Sequence, residues 1–280
     1  MRMKNADQLK GKIKNLARSR GVDPRVLLRI YMMERFLDRV SRSSFRESFV
    51  LKGGMLISYL VGVDMRTTMD IDTTMKDFPL TDGEIRRFVD EVVAVDAQDG
   101  VTFTLSGIDE IMAEADYPGM RVSLCASFDG TVTPVKIDIS TGHAITPPAV
   151  NSTLDVMFAD PVPMLVYPVE TVVAEKLQTV LVRATFNTRM RDFYDLHAIL
   201  AISAESFENK TLKEAVSATF ERRGSTDLLS NWKLTIDSLE SSEHMQNLWS
   251  EYRRSFTWAL DLTWNDAVGA ARVLLARGTE

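Results

Sequence analysis

The sequence predicts an α+β protein, with one mixed sheet carrying helices largely on one side and a helical region following it. Three observations carry that expectation. Short apolar and alternating runs between residues 49 and 140 interleave with two helical stretches and end in successive strands. A proline-rich segment from Thr146-Pro147-Pro148 to Pro168 then interrupts the pattern. From Val169 onward helical periodicity runs to the end of the chain.

Residues 6–46 read as two helices broken at Gly21-Val22-Asp23-Pro24, where Asp23 can cap and Pro24 can take the first helical position. In the second, Val26, Leu27, Ile30, Met33, Phe36, Leu37 and Val40 form an apolar stripe, and Arg25, Arg29, Arg35, Arg39 and Arg42 lie largely off it. Two helices joined at a glycine also fit a helix-turn-helix, but so wide a stripe favours docking onto a neighbouring element. A strand at 49–51 leads into a helix at 55–60, and 69–75 is the next strand. The stretch 81–95 is amphipathic, with Ile85, Phe88, Val89 and Val92 on one face and Thr81 as cap. Strands follow at 101–108, 120–128 and 132–140, the last two joined by the turn Asp129-Gly130. Helices are expected at 169–183, 190–202, 206–222, 236–256 and 265–277. The proline-rich segment reads as a hinge. Residues 1–165 then form a basic helical arm plus a mixed-sheet core, and 166–280 a helical domain that would complete any cleft beside it.

At 45% hydrophobic and 26% charged, the composition is that of an ordinary globular protein. One cysteine, Cys125, excludes an internal disulfide framework and a cysteine-rich zinc site. With three histidines and no matched pair, a histidine zinc site is equally disfavoured. No apolar run reaches membrane-spanning length and the opening residues lack a signal-like core, so a cytoplasmic protein without a membrane partner is expected. The net charge of −6 hides an asymmetry: residues 1–46 carry +9 and the remainder −15. Such a segment either tracks a nucleic-acid backbone or neutralises the acidic body by packing on it; the two are compatible.

The most informative motif is Asp70-Ile71-Asp72, which begins eighteen residues downstream of the start of Lys52-Gly53-Gly54. On an extended strand, residues two apart point the same way, with Cα atoms roughly 6.5–7 Å apart. Two carboxylates so close repel, and enclosing both is costly unless a cation compensates, so the pair reads as a clamp for a divalent metal. The glycines, where a strand passes into a helix, can turn backbone N–H groups toward phosphate, and Lys52 adds a charge beside them. A tight turn is the plainer reading of the glycines alone. Arg66, Thr67 and Thr68 can meet phosphate oxygens or support the metal shell; the alternative is a solvated loop. Asp138 lies on the polar side of an alternating strand that buries Val135, Ile137 and Ile139. If that strand neighbours the one at 69–75, Asp138 supplies a third carboxylate to the groove, a set that suits Mg²⁺. Otherwise it is an exposed strand residue.

The helical half adds a second set. Projected on their helices, Lys176 and Asp192 each flank an apolar arc, where a charge faces a neighbour or a cleft. A metal clamp beside a phosphate cradle suggests chemistry on a nucleoside triphosphate, so they are either an interhelical salt bridge alone or a catalytic lysine that reaches such a triphosphate, with a carboxylate that positions it or accepts a proton. Arg189, Arg191 and Asp195 read as peripheral, and His197 as a core histidine.

Together Lys52-Gly53-Gly54, Arg66-Thr67-Thr68-Met69-Asp70-Ile71-Asp72, Val173-Ala174-Glu175-Lys176 and Arg191-Asp192-Phe193-Tyr194-Asp195-Leu196 resemble the AbiEii/AbiGii toxins, nucleotidyltransferase-like toxins of type IV toxin–antitoxin and abortive-infection systems related to the MenT toxins. Thr68 stands where that family commonly has serine, keeping the hydroxyl. The resemblance implies a polymerase-β-like nucleotidyltransferase core, with a helical N-terminal segment and a helical C-terminal region. Asp70 and Asp72 would hold the metals, and Lys176 and Asp192 would be the further catalytic pair. It also implies an NTP substrate, Mg²⁺ or Mn²⁺, a winged-helix antitoxin, and transfer of nucleotides to the 3′ acceptor end of tRNA, blocking translation. The last 70 or so residues match no pattern of that kind.

The leading expectation is therefore a Mg²⁺-dependent toxin that transfers NMP from NTP to tRNA or another RNA. The alternatives are transfer to a small molecule or protein hydroxyl, and a non-catalytic nucleotide-binding regulator.

Overall fold

A computed structural model describes residues 3–62, 66–111, 119–203 and 208–280. The chain divides into two compact units, Met1–His143 with Val150–Val166, and Ala144–Ala149 with Tyr167–Glu280.

The first unit begins with α1 (Ala6–Arg20) and α2 (Pro24–Arg42). Asp23 accepts from the Arg25 N–H and Pro24 opens α2, the start that the sequence predicts. β1 (Phe49–Lys52) runs directly into α3 (Gly53–Val61), followed by β2 (Ile71–Met75) and α4 (Asp82–Ala94), which Thr81 caps through the Glu84 N–H. β3 (Thr102–Ile111), β4 (Gly119–Phe128) and β5 (Thr131–Ser140) form a meander, and β6 (Val150–Leu154) and β7 (Val162–Val166) a hairpin. Together these make a seven-stranded mixed sheet in the order β3-β4-β5-β2-β1-β7-β6. β2 pairs antiparallel with β1 and parallel with β5, so the carboxylate-bearing strand sits inside the sheet. Val135, Ile137 and Ile139 are buried in β5 while Lys136 is exposed, the alternation of a sheet with one covered face. Phe36, Phe45, Phe49 and Phe88 build the aromatic centre of this core.

Two expectations change here. The segment read as a hinge contains β6 and β7. Pro163 inside β7 argues against a strand in sequence, but β7 meets β1 only at Leu165 and Val166, beyond the proline. The arginines of α2 are also not all outside. Arg35 and Arg39 are buried, and Arg39 grips both oxygens of Asp99 at 2.7 and 2.8 Å and the Val101 carbonyl while lying over the Phe103 ring. Part of the basic stretch is therefore spent inside the unit, and Lys10, Lys14, Arg18, Arg20 and Arg25 remain exposed.

The second unit is helical: α5 (Val169–Arg183), α6 (Met190–Ser203), α7 (Asn209–Arg222), α8 (Trp232–Ser241), α9 (Glu243–Ser255) and α10 (Trp264–Thr279). α10 packs on α6, α7 and α8, and α5 on α6 and α7. The expected helix start at 206–207 lies outside the described residues. The single helix expected over 236–256 is two. Ser242 breaks it, capping α9 through the Met245 N–H, since a serine hydroxyl competes for backbone donors. The break lets the indoles lock the corner: Trp264 donates to the Leu239 carbonyl and Trp249 to that of Leu262.

Candidate active site

In the first unit the site grows from the β1–α3 junction. Gly53 has φ of +62°, a conformation that costs an L side chain, and a Cβ there would stand 2.1 Å from Asp72 Oδ2. A Cβ on Gly54 would stand 2.5 Å from Arg66 Nη1 and 2.7 Å from Thr68 Oγ1. The glycines thus make room for three neighbouring side chains. The Gly54 N–H donates to Asp72 Oδ2 at 3.1 Å, placing the carboxylate at the positive end of α3.

Asp70 sits in the bend just before β2 rather than on the strand itself, and Thr68 Oγ1 donates to its Oδ1 at 3.2 Å. Arg66 and Thr68 are buried, and Arg66 Nη1 donates to the Thr67 carbonyl, so this is a built turn and not a solvated loop. Asp72 keeps some surface open, yet burial first and Asp70 second push its carboxyl above the ordinary value. The Gly54 N–H and Lys52 oppose that shift, and Asp138 adds to it. Here is a surplus of negative charge on hard oxygen donors.

The parallel β2–β5 pairing puts Asp138 directly beside Asp72, the neighbour relation on which its sequence reading depended. Its carboxylate, however, is held by Arg121 of β4, with Nε at 2.7 Å and Nη2 at 2.6 Å. Among the described residues no group of three or more His, Cys, Asp and Glu gathers closely enough to hold a metal ion. Asp70 and Asp72 still fit Mg²⁺, which commonly takes one or two carboxylates with waters and substrate phosphates.

In the second unit Lys176 of α5 reaches Asp192 Oδ1 at 2.7 Å and Asp195 Oδ2 at 2.8 Å on α6. Arg189 Nε lies 3.0 Å from the other Asp192 oxygen. Burial alone would lower the Lys176 pKa; the two carboxylates outweigh it and the pKa is raised, so the ammonium stays charged. Asp195, read from sequence as peripheral, is fully buried against this lysine, and Arg189 also joins the cluster. The signal was the three-residue step from Asp192 to Asp195, which puts both on one helix face. His197 is half-buried rather than enclosed in the core.

In the first unit a carboxylate is seated on the first turn of a glycine-opened helix and carried by a mixed sheet, and by class the chain is a nucleotidyltransferase. It belongs to the AbiEii nucleotidyl transferase toxin family of type IV toxin–antitoxin systems, whose family model matches residues 35–270. The resemblance carried by the four motifs is thereby borne out, and membership implies an NTP substrate and an antitoxin partner. Among solved structures, a candidate nucleotidyltransferase from H. pylori is similar at 15% identity and a TM-score of 0.47, over 92% of this chain and 97% of that one. JHP933 from Helicobacter pylori is similar at 16% identity and 0.46, over 90% and 93%. Comparison with curated proteins finds no match. Among the described residues no helix is long and apolar enough to cross a membrane.

Proposed function

We propose that this toxin transfers NMP from an NTP to RNA, with the 3′ acceptor end of tRNA as the foremost target, and that Asp70 and Asp72 hold Mg²⁺ or Mn²⁺. The observation that supports this most is the enclosed Asp72 carboxyl, crowded by Asp70 and seated against the Gly54 N–H. When bound, the divalent cation supplies charge neutralisation at the phosphates.

The chain's own residues do the rest. Lys52 and the Gly53-Gly54 start of α3 meet the triphosphate, while Arg66, Thr67 and Thr68 hold the turn that presents Asp70. In the second unit Lys176 and Asp192 are the further catalytic pair of this reading: the lysine stays charged, and Asp192 positions it, since both Asp192 oxygens already face cations. In the transfer, the acceptor hydroxyl oxygen bonds to the α-phosphorus, the bond to the β-phosphate breaks, pyrophosphate leaves and the hydroxyl proton is released. The exposed basic residues of α1 and the start of α2 favour an RNA acceptor over a small molecule. A winged-helix antitoxin is the partner this reading entails.

Purified protein is incubated with labelled NTPs, Mg²⁺ and total RNA, and tRNA 3′ ends are sequenced after induction in cells. Label on RNA, lost in a folded Asp72→Ala variant together with toxicity, is the expected result. Label confined to protein or small molecules, or full toxicity of Asp72→Ala, overturns the reading.

A further inference from the structure

The register of four adjacent strands aligns Lys52, Asp72, Asp138 and Arg121 in one row across β1, β2, β5 and β4. Arg121 closes that row with a two-pronged ion pair, Nε to Oδ1 and Nη2 to Oδ2 of Asp138. Both Asp138 oxygens are engaged by the fork and their charge is answered by the guanidinium, which weakens the carboxylate as a ligand for a cation. The guanidinium fork leaves Nη1 over, with no hydrogen-bond partner among the described residues. Arg121 keeps 35% of its side-chain surface exposed and feels the field of Asp70 and Asp72 as well as Asp138. A planar cation held by two hydrogen bonds in the field of Asp70 and Asp72, with one donor nitrogen to spare, is shaped for a phosphate oxygen.

We propose that Arg121 is a phosphate-binding residue of the nucleotide site, and that Asp138 is a positioning residue that aims it rather than a metal ligand. This rests on the reading that Asp70 and Asp72 hold a divalent cation beside an NTP. The phosphate comes either from the NTP or from the RNA acceptor, and both sources present the same oxygens to the guanidinium.

The full chain is titrated with Mn²⁺ alone, followed by electron paramagnetic resonance, and then with NTP at saturating Mn²⁺. The variants are Arg121→Gln, Arg121→Lys, Asp138→Asn and the Arg121→Gln/Asp138→Asn double, each checked for folding by circular dichroism. Mn²⁺ affinity is expected to stay within about threefold of wild type in Asp138→Asn, and NTP affinity to fall about tenfold or more in Arg121→Gln. Asp138→Asn should weaken NTP binding too, and the double variant should be no worse than Arg121→Gln, because Asp138 acts only through Arg121. Arg121→Lys keeps the charge without the fork and should recover part of the loss. Should NTP affinity hold while the KM for RNA rises in the same pattern, the phosphate is the acceptor's and the assignment of Arg121 stands.

Loss of Mn²⁺ affinity in Asp138→Asn, additive losses in the double variant, or wild-type NTP and RNA parameters in Arg121→Gln overturn the proposal. Wild-type protein that binds neither Mn²⁺ nor NTP would instead sink the underlying reading, which separates the two failures.

Discussion

Replacing Gly53 with alanine tests how the first unit builds its site. The backbone at Gly53 has φ of +62°, and a left-handed conformation costs an L residue about 1–2 kcal/mol. The new methyl would stand 2.1 Å from Asp72 Oδ2, well inside the distance at which heavy atoms tolerate each other. The carboxylate must therefore swing away from the start of α3 and give up the 3.1 Å bond from the Gly54 N–H. A hydrogen bond to a charged group is worth about 1.5–3 kcal/mol, though relief of the repulsion with Asp70 returns part of it. A net loss of roughly 2–4 kcal/mol is expected in urea unfolding, with Mn²⁺ affinity falling because Asp72 no longer points where it did. Gly11→Ala is the control: nothing lies within 4 Å of the added methyl, and alanine in a helix interior gains about 0.5–1 kcal/mol over glycine. If Gly53→Ala unfolds at the wild-type midpoint and binds Mn²⁺ as tightly, Asp72 is not seated against this helix and the reasoning fails.

Two further outcomes follow from buried charges. Glu34 is enclosed beneath Tyr59 and the Met157 N–H, and burial pushes its pKa from 4.5 to about 8. The folded state then binds a proton that the unfolded chain has released, so stability is greatest below the unfolded pKa and declines as pH rises from 4.5 toward 8. At about 1.4 kcal/mol per unit the window spans roughly 4–5 kcal/mol. Glu34→Gln mimics the protonated acid, its oxygen accepting from the Met157 N–H and its amide facing the Tyr59 oxygen, so the difference from wild type in urea unfolding should grow steadily between about pH 5.5 and pH 7, about one unit inside each end; parallel curves would refute the assignment. In the second unit, Asp195→Ala leaves Lys176 with one carboxylate and should cost about 3 kcal/mol, read by the same unfolding assay at pH 7. Because the Lys176 pKa is raised, this contribution is full below the ordinary lysine value and disappears as pH climbs through the raised one; an unchanged midpoint in Asp195→Ala would show the pair to be redundant.

Elements with a strong local period were legible in the sequence. α2 and α4 each carry a capping residue and an apolar stripe, and both begin where those features put them. The β6–β7 hairpin was not legible, because Asn151, Ser152 and Thr153 lack an apolar alternation and Pro163 interrupts β7; pairing with Val50 and Leu51 of β1 is what holds it. Buried polar groups were the other blind spot. Glu34, Arg35 and Arg39 look like surface residues when α2 is projected alone, and only Asp99, the Val101 carbonyl and the Met157 N–H explain the burial of Arg39 and Glu34.

By itself the sequence determined the family, the α+β class and the candidates Asp70, Asp72, Lys176 and Asp192, because each rests on spacing within short segments. Only the tertiary structure decided who answers those charges. Arg121 lies 17 residues from Asp138 and meets it across strands, while Asp195 meets Lys176 between helices. Local periodicity says which way a side chain points; what it points at depends on strand register and helix packing, which no single segment contains.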